Sequence, residues 1–204
     1  MTWAGADPGG KNQFGLALLE DDGTFETHCV SYVDQAIEGL YRKNLFGLGI
    51  DCPLWWSSGT GGGRVADQWL RKKYKIRPGT VQSVNSLQGS VLIQGHLLAV
   101  KLRHLIPDLP ITEAHPKALL IALGIKDADW EKISQEFGLN GTEPFSEHER
   151  DAILGAVAAR DGFSRRWQFD LSAARLPDGT ERPSCEQNPS QLVFGSVHYW
   201  WPAI

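Results

Sequence analysis

Cysteine is scarce in this chain. Its three residues, Cys29, Cys52 and Cys185, stand far apart and form no C-x-x-C pair. An odd, scattered set argues against a disulfide framework and a zinc ribbon, and for a reducing compartment. Long apolar runs are also missing: no uninterrupted stretch approaches the length that spans a bilayer. No charged-then-apolar leader opens the sequence. These absences together lead us to expect a cytoplasmic protein with no membrane partner. No internal repeat, low-complexity tract or linker divides the 204 residues, which are enough for one sizeable core. Nor is there an excess of positive charge, the net charge being −4. Overall electrostatics therefore do not advertise a nucleic-acid partner.

The charge is unevenly placed. Between Arg64 and Arg77 six basic residues (Arg64, Arg71, Lys72, Lys73, Lys75 and Arg77) face one acid, Asp67, a local +5 that leaves −9 for the remainder. This window reads as a basic helix over 64–75, with an Asp67–Arg71 pair one turn apart. Trp55, Trp56, Trp69 and Tyr74 lie nearby in sequence, so Arg64, Arg71, Lys72 and Lys73 are candidates for phosphate contacts beside stacking rings. A solvated face with packed aromatics is the plainer reading of the same residues.

The opening stretch Trp3-Ala4-Gly5-Ala6-Asp7-Pro8-Gly9-Gly10 reads as a short buried strand that ends in an acid and breaks into a turn. Alternating apolar residues over 14–19, an Asp21-Asp22-Gly23 turn and a returning strand over 25–31 predict a three-stranded meander. A short amphipathic helix follows over 34–42. Residues 45–50 form a continuous apolar strand of the kind buried on both faces of a parallel sheet, and it too ends in an acid, Asp51. The triplet Gly61-Gly62-Gly63 lacks the following Gly-Lys-Ser/Thr of a phosphate loop and reads as a flexible lid. Further on, a helix is expected over 92–106 with Leu98, Leu102 and Leu105 facing inward, then a strand over 110–114 holding Glu113. Proline at 116 opens another helix, and residues 129–137 form a further one. Ser146-Glu147-His148-Glu149 is a capping box for a helix to about residue 160, with a small-residue face of Ala152, Gly155, Ala156 and Ala159. The polar stretch 171–190 reads as loop and 191–200 as a last strand.

Carboxylates at the strand ends of an α/β sheet sit where such sheets build their sites. Asp7 and Asp51 close two strands, Glu113 sits in a third, and His148 and Asp151 lie three residues apart in the first turn of a capped helix, on one side of it. Hard oxygen donors of this kind suit Mg²⁺ or Mn²⁺. Singly, each has a plainer role: Asp7 and Asp51 as turn caps, Glu113 as the partner of an arginine, His115 as a packing residue, Asp151 as a helix-terminus acid. Their matching topological places favour a shared role.

The order of these motifs carries a resemblance. Gly5-Ala6-Asp7-Pro8-Gly9, Ile50-Asp51-Cys52-Pro53, Arg64-x-x-Asp67-x-x-x-Arg71, Glu113-x-His115-Pro116 and Arg150-Asp151-Ala152 resemble, over residues 3 to 162, a widespread family of uncharacterised proteins predicted to be RNase H-like nucleases. The first strand and His148-x-x-Asp151 are also similar to RuvC-type Holliday-junction resolvases. The resemblance implies an α/β fold with three antiparallel strands followed by parallel ones and helices on both faces. It further implies a single domain, with an insertion at about 54–87 and an irregular tail at about 165–204. It implies metal-dependent hydrolysis of nucleic acid, DNA or RNA, with Asp7, Asp51 and Asp151 as Mg²⁺ or Mn²⁺ ligands. Asp7, Asp51, Glu113, His148 and Asp151 would be the catalytic set, Glu113 matching the uncharacterised family and not the resolvases. The acidic net charge departs from the usual basic resolvase. Two alternatives remain at this level: an actin-like or sugar-kinase-like nucleotide-binding protein, for which no second phosphate loop is present, and a non-catalytic scaffold of the same fold.

Overall fold

The computed structural model describes residues 1–9, 13–188 and 192–204. Gly10 of the opening turn and residues 189–191, where the tail loop meets the expected last strand, lie outside them. Strands β1 (Thr2–Asp7), β2 (Phe14–Glu20) and β3 (Phe25–Val30) form the expected antiparallel meander. Helix α1 (Val33–Leu40) leads to β4 (Leu45–Ile50), which pairs parallel to β1. Next come α2 (Val65–Tyr74), α3 (Gly89–Leu105) and the short strand β5 (Ile111–Glu113), parallel to β4. Helices α4 (Pro116–Ala122), α5 (Trp130–Phe137) and α6 (Glu147–Phe163) follow. The chain closes with β6 (Phe169–Asp170), β7 (Val197–His198) and β8 (Trp200–Trp201). One mixed sheet of six strands runs β3-β2-β1-β4-β5-β7, while β6 and β8 form a separate ribbon. The expected last strand is thus two short ones, β7 joining the main sheet and β8 the ribbon. Among the described residues no helix is long and apolar enough to cross a membrane.

Side-chain alternation sorts the two faces of the sheet. On one face, α1 rests on β2 and β3: a Cβ at Gly39 would touch Leu16 and His28 at ordinary van der Waals distance. The other face, carrying Gly5, Gly15 and Gly49, is covered by α6. There the approach is backbone to backbone. A Cβ at Gly5 would lie 1.8 Å from the Ala152 carbonyl oxygen, one at Gly49 1.9 Å from that of Gly155, and one at Gly15 2.0 Å from that of His148. Only glycine leaves room for the helix, and Ala152, Gly155, Ala156 and Ala159 provide the matching small face expected from the sequence. This contact fixes where the first turn of α6 sits relative to the ends of β1 and β4.

Helix boundaries differ from expectation by one to three residues, as fraying ends usually do. Leu98 and Leu102 are fully buried, but Leu105, the last residue of α3, is half exposed. The capping box is half built: Ser146 Oγ accepts from the Glu149 amide at 3.2 Å, while Glu149 Oε2 reaches one residue further, to the Phe145 amide at 2.8 Å.

Candidate functional site

Asp7 and Asp51 occupy the C-terminal ends of neighbouring parallel strands, and the Asp51 amide continues the ladder by donating to the Ala6 carbonyl at 2.8 Å. Asp7 shares the α6 face with Gly5, so its carboxylate meets the first turn of that helix. His148 Nδ1–H donates to Asp7 Oδ2 at 2.7 Å, the donor role following because an ionised carboxylate only accepts. One turn along, Asp151 is almost fully buried and touches Arg150 at 3.2 Å. The turn after Asp7 is clamped by Gln94 of α3, whose amide donates to the Gly9 carbonyl. The turn after Asp51 is packed against α3 at Gly95, where a Cβ would come within 2.5 Å of Cys52 Sγ. Asp7 and Asp151 are therefore mounted on a strand and a helix, and Asp51 directly follows a strand.

Asp7, Asp51, Asp151 and His148 line one cleft of about 650 Å³, together with Lys117 at the start of α4 and a wall made by residues 79–91. The acids act on one another's charge. Burial, with the charges of Asp7 and Asp151 added, pushes the Asp51 carboxyl well above its usual range. Burial also raises Asp151 to about 6, opposed by Arg150 and reinforced by Asp7. The hydrogen bond to Asp7 raises the His148 imidazole. Among the described residues, the Asp51 carboxylate has no hydrogen-bond or ion-pair partner, and its neighbours mainly repel its charge.

Glu113 shares the cleft lining but has a different role. In register it pairs with Ile50, one residue out of phase with Gly49, so its side chain points to the sheet face opposite α6. There it meets Arg64. The guanidinium donates to both Glu113 oxygens, at 2.7 and 2.6 Å, and to both Asp67 oxygens, at 2.9 and 2.7 Å, while lying 4.2 Å above the Trp55 ring. Glu113 Oε2 also accepts from the Leu54 amide at 3.0 Å. The sequence motifs Arg64-x-x-Asp67 and Glu113 thus meet as one buried ion triad that ties α2 and the turn after Asp51 to β5. Breaking a buried pair on one side typically costs about 3–5 kcal/mol.

Arg64, expected to contact substrate, is only 1% exposed and has every edge of its guanidinium engaged. Arg71 donates to the Val81 carbonyl at 3.2 Å, so it braces the cleft wall from behind. Lys73 lies over the rings of Trp69, Tyr74 and Phe169. With Lys72 it lines a separate hollow beside Asp178. The basic helix is real, but Arg71, Lys72 and Lys73 face away from the acids.

Lys117 escaped the site reading, and His115, read as a packing residue, also lines the cleft. Lys117, which pairs with Glu147 at 2.7 Å, follows directly on the Glu113-x-His115-Pro116 motif, and that adjacency was the available signal. His115 has a buried Nδ1 without a partner, and burial lowers its imidazole to about 4.

Among the described residues, no set of three or more His, Cys, Asp or Glu side chains is arranged to hold a metal ion as it stands. The donor chemistry nevertheless suits a hard cation: three carboxylates, mutually repelling, one of them unpartnered. Comparison of the chain with protein-family models, with curated proteins and with solved structures finds no match.

Proposed function

We propose that this protein is a metal-dependent phosphodiester hydrolase of RNase H-like architecture, a nuclease in the broad sense. The observation that carries the reading is the convergence of Asp7, Asp51 and Asp151 from β1, β4 and the first turn of α6 on one cleft. The order of three antiparallel strands followed by parallel ones supports the same architecture.

In this reading Asp7, Asp51 and Asp151 hold Mg²⁺ or Mn²⁺. Such an ion supplies a water of lowered pKa and neutralises charge on the phosphoryl oxygens. The remaining chemistry belongs to the chain. His148 is held by its Nδ1–H bond to Asp7, which leaves Nε2 as the atom that takes or gives a proton at the cleft. Asp7 orients that ring while serving as a ligand, the usual coupling of a histidine to a carboxylate beside a metal. Lys117 places a cation at the mouth for a phosphate oxygen. Glu113 acts on the reaction indirectly, by accepting from the Leu54 amide and holding Arg64, which together fix the turn beneath Asp51.

Calorimetric titration with Mn²⁺ tests this directly. Saturable binding to the wild type that is lost in Asp51→Asn and Asp7→Asn is the expected result. Absence of binding at millimolar Mn²⁺, or equal binding by all three proteins, overturns the metal-site reading.

A further inference from the structure

A hydrolase cleft can be shaped for the side of a long duplex or for a small piece of chain. This cleft is walled. Opposite the strand ends, residues 79–91 form a rim that includes a short 3₁₀ turn at Val84–Ser86, the N-terminal cap of α3 at Gln88 and its first turn. The wall is held from behind by the Arg71 bond to the Val81 carbonyl. Its volume, about 650 Å³, lies within the range of pockets that bury one small organic ligand, about 300–1,000 Å³.

The charges around it point the same way. Among the described residues, Lys117, which also pairs with Glu147, and the buried Arg64 are the only lysine or arginine side chains that line the cleft. A protein that grips duplex DNA commonly neutralises about 6–10 phosphates with lysine and arginine. Here the residues that could do so are engaged elsewhere: Arg64 in the ion triad, Arg71 on the wall backbone, Lys73 on three rings. The cleft is lined instead by side-chain amides, Gln13, Gln82 and Gln88. An amide both donates and accepts, which matches the mixed polar edge of a base and not the oxygens of a phosphate.

Resting on the phosphodiesterase reading above, we propose that the cleft takes a short single-stranded phosphodiester, dinucleotide in size, and not the flank of a long duplex. The scissile phosphate lies between the carboxylates and Lys117, and one base stands against the amide wall. The acidic net charge, at odds with a junction resolvase, is then expected, because one or two phosphates need few cations.

Fluorescence anisotropy tests this with three labelled probes in Ca²⁺ buffer: a dinucleotide, a 20-nucleotide single strand and a 20-base-pair duplex. Parallel Mn²⁺ calorimetry reports on the metal site independently. The expected result is dinucleotide binding that the duplex does not exceed by more than about threefold. Its slope of log affinity against log salt should be no steeper than about −2, the value for one or two neutralised phosphates. Lys117→Met should weaken the dinucleotide about tenfold, while Lys72→Ala leaves it unchanged. Duplex binding tenfold or more tighter than the dinucleotide, or a slope beyond about −5, overturns the proposal. So does failure of the dinucleotide to bind a protein that still binds Mn²⁺. Loss of Mn²⁺ binding itself would instead sink the underlying phosphodiesterase reading.

Discussion

Replacing Asp151 by asparagine should make this protein more stable at neutral pH. The carboxyl is buried near Asp7 and its pKa is raised from 3.8 to about 6. Below pH 3.8 the folded and unfolded states both hold the proton, and the group contributes nothing to the pH dependence. As pH rises from 3.8 to 6 the unfolded chain releases its proton first, so the wild type loses stability through this window. Above pH 6 the loss is complete. A shift of that size corresponds to about 3 kcal/mol, and asparagine, which resembles the protonated acid, should recover about 2–3 kcal/mol of it. In a chain of this length that is a rise in Tm of about 4–12 °C. Eight tryptophans give a fluorescence signal for the melt. Wild type and variant should be compared at pH 7.5 and at pH 4.5, where the gap should shrink to about a third. A variant less stable than wild type at pH 7.5, or a gap that does not change with pH, would refute the claim that burial, reinforced by the Asp7 charge, makes ionised Asp151 a cost to the fold. Saturating Mn²⁺ should narrow the gap from the other side, by stabilising only the protein that keeps its ligands.

Glu113→Gln should lower stability by about 3 kcal/mol, as one-sided loss of a buried ion pair does; an unchanged urea midpoint would instead free Glu113 for a direct role in the cleft. Gly49→Ala should displace α6 from the sheet, since the added carbon would meet the Gly155 carbonyl at 1.9 Å; an unaltered near-ultraviolet dichroism spectrum would contradict this packing. His115 is held neutral, its imidazole lowered from 6.5 to about 4. The unfolded chain therefore binds the extra proton first, and stability falls as pH drops from 6.5 towards 4. His115→Gln should flatten that limb of the pH–stability curve, and an identical curve would show that His115 titrates normally.

What the sequence made legible, and what it did not, follows from the range of the interactions involved. Alternation over 14–19 and the apolar run at 45–50 are local signals, and both strands form where those signals lie. Asp7 and Asp51, which both line the cleft, were legible as candidates because each stands at the end of a buried strand. Parity hid the role of Glu113. It also sits at a strand end, but the β4–β5 register turns it to the opposite face, and register between distant strands is not written in either one. The Arg64 partner, 49 residues away, is invisible for the same reason. The basic window misled because charge sums count residues without their directions: three of the four candidate cations are spent on carboxylates, a carbonyl and aromatic rings. Glycine carried more information than its composition suggests. Gly5, Gly15 and Gly49 read as ordinary strand residues, yet their lack of a Cβ sets the height of α6 above the sheet.

That height links the fold to the proposed chemistry. Were α6 a normal helix-to-sheet distance away, about 10 Å, His148 could not reach Asp7 from its first turn. Because the backbones touch, Asp151 is drawn into the same buried space as Asp7 and Asp51, and three carboxylates end up closer than their charges favour. A frame selected for stability alone would relieve the crowding with one asparagine. Instead the glycine face holds the crowding in place and the Arg64 triad stiffens the turn below it. Asp51, the acid without an ion pair or hydrogen-bond donor among the described residues, is therefore where a bound cation would gain most, and Asp51→Asn should abolish Mn²⁺ binding while raising the metal-free melting temperature. A variant that loses metal and also melts lower would separate the two effects and assign Asp51 to the fold instead.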